Sequence, residues 1–150
     1  MNNSEVIVIL DRLVVACEKG RDGFRDAAVS AQNSEFRRLF NIFSQQRIQF
    51  ISELKSEINR LRGDVSTAPE GATELPSNTL PFRRTTARKP AAREEVAIIT
   101  ECQREEEAAV TDYQDALKAD LPLDVQYVVK RQYVDIKDAY DRIRILQRAA

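Results

Sequence analysis

Histidine and tryptophan are absent from these 150 residues, and only four glycines and two cysteines are present. Without histidine the chain lacks the commonest general base, the commonest metal ligand and every Ser/His or Cys/His nucleophile pair. So few glycines leave no phosphate-cradling loop. Cys17 and Cys102 lie far apart and outside any metal-binding spacing, so they read as reduced thiols of a cytoplasmic protein. Neither sign of charge prevails: 23 basic and 24 acidic side chains leave a formal net charge of -1. That balance argues against bulk electrostatic attraction to nucleic acid or an anionic membrane. No apolar run approaches the roughly 18 residues that span a bilayer. The start is acidic at Glu5, and its apolar run from Val6 stops at Asp11, unlike a secretory signal.

What the chain does have is helical periodicity, in four segments. Val6, Leu10, Leu13, Cys17, Gly20, Phe24, Ala27 and Ala31 alternate at four and three residues, which predicts an amphipathic helix over about 4–31. Gly20 and Gly23 weaken it but leave room for a close neighbour. Asn33-Ser34 supplies a cap, and Phe36, Leu39, Phe43, Phe50, Leu54, Ile58 and Leu61 mark a second helix over 34–62 that Gly63 can end. Ile99, Cys102, Ala109, Tyr113 and Ala116 predict a third over 92–119, and Val125, Val129, Ile136, Ala139, Ile143 and Leu146 a fourth over 122–148, with Pro122 at its first position.

Residues 64–90 break the pattern. They hold four of the five prolines, with Ser, Thr and Ala filling much of the rest, and read as an irregular crossover long enough to run the length of a helix. Short joins make helices one and two a hairpin, and helices three and four another. The fold class expected is all-α, a single ferritin-like four-helix bundle built from two hairpins and one long crossover.

Polar residues interrupt each stripe near its middle. One register of helix one, Leu10, Val14, Cys17, Arg21, Phe24, places Arg21 on the core face, and helix three places Glu106 there. Gln46 and Gln49 of helix two and Gln132 and Asp135 of helix four complete a candidate core layer. Di-iron bundles instead carry a carboxylate on each of two helices and Glu-x-x-His on the others. Here only Glu106 and Asp135 are anionic candidate ligands, and Arg21 places a fixed positive charge where cations would sit. A structural layer with Arg21 paired to Glu106 is the better reading.

Other features are weaker. Cys17 and Cys102 fit satisfied core thiols. Glu94, Glu95, Glu105, Glu106 and Glu107 form an acidic face, ordinarily solvated. The one basic cluster, Arg83, Arg84, Arg88 and Lys89, lies in the crossover and offers a grip for phosphate or an acidic partner.

Several motifs in order, Cys17-Glu18-Lys19-Gly20, Gly23-Phe24-Arg25-Asp26-Ala27-Ala28, Gln45-Gln46-Arg47, Asp120-Leu121-Pro122, Arg131-Gln132 and Asp141-Arg142-Ile143-Arg144, resemble a bacterial family of ferritin-like four-helix-bundle proteins of unknown function. The resemblance implies that fold and a cytoplasmic bacterial protein, and it implies no activity. Members of that family usually carry an acidic residue where this chain has Arg21 and a histidine where it has Tyr140, so both departures lead away from metal chemistry.

The expected function is non-enzymatic: a structural or protein-interaction role, linked to stress, with no cofactor and a metal-free polar layer. A homo-oligomer is expected because Phe36, Phe40, Phe43 and the tyrosines of helix four exceed what one small interior needs. Two alternatives stay open. One is an unusual carboxylate metal protein, oxidising or storing iron at Glu106 and Asp135; the other is a regulatory module that binds through the basic crossover.

Overall fold

Asn2 starts the first helix. Its side chain accepts the Glu5 backbone N–H while the Glu5 carboxylate accepts the Asn2 N–H, a capping box that satisfies two otherwise orphaned donors. From there α1 runs over Asn3–Ser30. Asn33 caps α2 (Ser34–Val65) by accepting the N–H groups of Glu35 and Phe36. The computed structural model describes residues 1–65 and 95–149. Its other helices are α3 (Glu95–Lys118) and α4 (Leu123–Ala149). The Pro122 carbonyl accepts the first bond of α4, so Pro122 stands just before that helix rather than at its first position. α2 continues through Gly63, where sequence reasoning had it stop. The expected crossover and its basic residues 83, 84, 88 and 89 lie outside the described residues.

Side-chain contacts fix the directions. Ser44 on α2 donates to the Arg21 carbonyl, and Asn3 to that of Leu61, so α1 and α2 are antiparallel. The Glu95 carboxylate accepts the Gln32 and Asn33 N–H groups at 2.5 and 2.9 Å, which ties the start of α3 to the α1–α2 turn. Arg131 and Asp124 of α4 meet Glu53 and Arg60 of α2. Both hairpins are antiparallel, α3 runs antiparallel to α1, and α2 and α3 run parallel. The end of α2 and the start of α3 therefore lie at opposite ends of the bundle, the arrangement that demands a long crossover. α1 packs on both α2 and α3, and α4 packs mainly on α3 and more thinly on α2. α2 and α3 face one another across the diagonal.

The interior divides into two apolar clusters. One holds Leu10, Leu13, Phe50, Leu54, Tyr113, Val129 and Ile136. The other, toward the α1–α2 turn, is aromatic: Phe24, Phe40 and Phe43 gather with Ile99, Ala139 and Ile143, the Phe24 and Phe43 rings 5.2 Å apart. Burying each such side chain contributes about 1.5–3 kcal/mol. Phe40 and Phe43 are thus core residues and Phe36 is half-buried, which removes them from the expected oligomer surface. No described helix is long and apolar enough to cross a membrane.

Candidate functional site

Arg47 of α2 lies between the two clusters with its side chain wholly buried. Its guanidinium reaches across the bundle diagonal to Glu106 of α3, whose side chain is 1% exposed. Two parallel bonds form: Nη1 donates to Oε1 at 2.8 Å and Nη2 donates to Oε2. That fork-to-fork geometry is the strongest an arginine can make with a carboxylate. The guanidinium carbon also stands 5.2 Å from the Phe24 ring centre and 6.0 Å from that of Phe50, within cation–π range. Burial works against the charge, but Glu106 outweighs it, and the Arg47 pKa is held above its ordinary value.

Gly20 makes this possible. A Cβ built at Gly20 would stand 2.9 Å from Arg47 Nη1, so any side chain there would collide with the guanidinium. The gap on the α1 stripe is filled by an arginine from α2. Gly23 does the same for Glu105, whose carboxylate fills the space its Cβ would need. Glu105 is raised in pKa by burial and by Glu101 and Asp26 beside it.

A chain of polar groups continues from this layer. Tyr113 Oη donates to Gln132 Oε1 at 2.7 Å. Cys17 Sγ lies 3.2 Å from Tyr113 Oη, and since the phenol proton is committed to Gln132, the thiol is the donor. Gln132 Nε2 donates to Glu53 Oε1 at 2.8 Å. Glu53 also takes Arg131 at 3.1 Å and brings the chain to the surface. Burial pushes the Cys17 thiol up to about 11, and it also raises Cys102 and Tyr113. Both cysteines are protonated core thiols.

Of the residues expected in the layer, the structure places Glu106 and Gln132 inside and the others elsewhere. Arg21 is a correction. Its side chain is 29% exposed and binds its neighbour Asp22 at 2.9 Å, because Gly20, not Arg21, occupies the core stripe. Gln46 is half-buried, Gln49 is exposed and bonds Glu53, and Asp135 is half-exposed. Sequence reasoning chose Gln46 between Phe43 and Phe50, where Arg47 fits equally well. The deciding signal is Phe40: the register 40, 43, 47, 50, 54 keeps the three-four alternation through to Leu54, whereas the register 36, 39, 43, 46, 50 keeps it only as far as Phe50.

A search of solved structures finds a similar chain in a two-domain protein from Anabaena variabilis, with DJ-1/ThiJ/PfpI-like and ferritin-like domains. The TM-score is 0.75 at 13% identity, over 99% of this chain and 37% of that one. This chain therefore spans little more than a third of that protein, and the likeness establishes the ferritin-like fold.

The dinuclear carboxylate centre that this fold often carries does not fit the side chains present. Such a centre needs several carboxylates and histidines converging at the midpoint. Here Glu106 has both oxygens on Arg47, Glu53 is held at the edge by Arg131 and Gln132, and Asp135 is half-exposed. Among the described residues no three Asp, Glu, Cys or His side chains gather as a metal would require. A guanidinium at the centre would also repel cations. No curated protein matches the chain in sequence. A family described as a domain of unknown function, DUF2383, matches residues 5–119; the chain belongs to that family, in the ferritin-like fold.

Proposed function

We propose that this chain is a non-enzymatic structural or protein-interaction bundle, working as a homo-oligomer, whose midpoint is closed by an ion pair in place of a metal centre. The single observation that supports this reading is the wholly buried Arg47 forked onto Glu106. An ion pair so deep adds little net stability over apolar side chains of equal volume. Its value lies in alignment: α2 and α3 are parallel, and only one sliding position brings the fork onto the carboxylate. A bundle fixed in this way presents its outer faces in a constant arrangement, as a binding protein needs.

The test is metal content. The chain is purified with iron(II) and manganese(II) present, and its bound metal measured by mass spectrometry. The expected result is a trace well below one equivalent. Stoichiometric metal that disappears in Glu106→Gln would establish the carboxylate alternative and overturn the reading.

A further inference from the structure

Gln46, Glu53 and Arg60 follow one another along α2 at intervals of seven, and Asp124, Arg131 and Asp138 do so along α4. Residues seven apart share a helix face. Because α2 and α4 are antiparallel, the two lines meet in reverse order. Arg60 binds Asp124 at 2.9 Å, and Glu53 binds Arg131 at 3.1 Å. One interval further, the same pattern sets Gln46 opposite Asp138, and that contact is not made. Asp138 instead takes Arg142 of its own helix at 2.9 Å, while Gln46 Oε1 is buried with no hydrogen-bond partner among the described residues.

This seam differs from the others in what holds it. α1 meets α2 and α3 through the two apolar clusters, and α4 packs mainly on α3. Between α2 and α4 the packing is thin. Besides the two ion pairs, Gln132 Nε2 crosses it, donating to Glu53 Oε1 at 2.8 Å and to the Phe50 carbonyl at 3.4 Å. Glu53 Oε1 thus holds two residues of α4, yet Glu53 and Arg131 are 25% and 41% exposed. Such exposed pairs are weak and screened by salt. The orphaned Gln46 oxygen adds a cost to the closed seam that water removes on opening. Behind Glu53 lies the chain from Gln132 through Tyr113 to Cys17.

We propose that the α2–α4 seam is the opening edge of the bundle: α4 lifts from α2 while staying on α3, with Glu53 as the latch, and admits water and small polar molecules to the chain that ends at Cys17. Local opening of this kind draws on the least packed contacts of a fold. Arg47 and Glu106 join α2 to α3 without α4, so their alignment persists while the seam opens.

Thiol alkylation tests the latch. The native full chain is treated with iodoacetamide at one fixed pH, and the rates at Cys17 and Cys102 are read separately by peptide mass spectrometry. Each rate is taken relative to the wild type, so that thiol acidity cancels. Cys102 is the internal control, because it lines a cavity with Gly23 and Asp26 on the α1 side of α3. Glu53→Ala releases both Arg131 and Gln132 and should raise the Cys17 rate about tenfold, with Cys102 unchanged. Gln46→Lys supplies the missing contact to Asp138 and should slow Cys17 about threefold. Added salt should speed Cys17 in the wild type and do less in Glu53→Ala. Equal acceleration of both thiols in Glu53→Ala means a general loosening of the fold and overturns the proposal. A Cys17 that is equally reactive, or equally inert, in all three chains overturns it too.

Discussion

At its two ends the bundle is held by apolar side chains, Phe24, Phe40 and Phe43 on one side and Leu10, Leu13 and Leu54 on the other; at its midpoint it is held by Arg47 and Glu106. The two kinds of layer do different work. An apolar layer stabilises in proportion to the area it removes from water and accepts swaps of similar volume. An ionic layer adds little to stability but fixes how the helices lie, and it fails badly when one partner is lost. The difference teaches that the deepest residue of this protein is not the one that stabilises it most, but the one whose removal is least forgiving.

The largest effect expected from this contrast is at Arg47. Arg47→Ala leaves Glu106 buried and uncompensated and should lower the unfolding free energy by about 3–5 kcal/mol in urea titration. A loss no greater than that of an ordinary surface arginine would erase the distinction between midpoint and ends.

The next effect tests the border between the layers, where Cys17 meets Tyr113. The thiol pKa is raised, so the unfolded chain ionises first, near 9, while the folded chain holds its proton until about 11. Stability is therefore intact below pH 9 and should fall by up to about 3 kcal/mol between pH 9 and 11. Cys102 and Tyr113 act in the same direction, so the Cys17 share is the difference between wild type and Cys17→Ala. The variant should give the flatter curve of stability against pH in that window.

Two glycines sharpen the comparison further. Gly20→Ala places a methyl against a guanidinium that cannot retreat without leaving Glu106, and should cost about 1–3 kcal/mol. Gly63→Ala, where nothing lies within 4 Å of the added carbon, should instead stabilise by about 0.5–1 kcal/mol through helix propensity. Thermal unfolding of the two variants should move in opposite directions. The smallest effect is at Arg21, half-exposed and paired with Asp22: Arg21→Ala should cost less than about 1 kcal/mol.

Most of the fold was legible in the sequence because it depends on repetition. The stripes of α1 and α4, the cap at Asn33 and the two hairpins each rest on several residues that agree, and the motif order pointed to the ferritin-like family. The ionic layer depends on single residues, and there the sequence was ambiguous. Glu106 and Gln132 stood alone on their stripes and could be seen. Arg47 stood beside Gln46, and a charged side chain is ordinarily placed outside. The hole at Gly20 and the long side chain at Arg47 are complementary only in three dimensions, since α1 and α2 run past each other in opposite directions. The link from Cys17 through Tyr113 to Gln132 joins three helices and leaves no trace in any one of them.

The central claim is that Arg47 and Glu106 act as one buried unit, and a double-mutant cycle measures that directly. Unfolding free energies are compared for wild type, Arg47→Met, Glu106→Leu and the double variant. Each single change is expected to cost about 3–5 kcal/mol, several times what the double does, which gives a coupling of about 5 kcal/mol or more. Single losses below about 1 kcal/mol that simply add in the double variant would mean the two side chains are solvated apart, and would contradict the ionic midpoint.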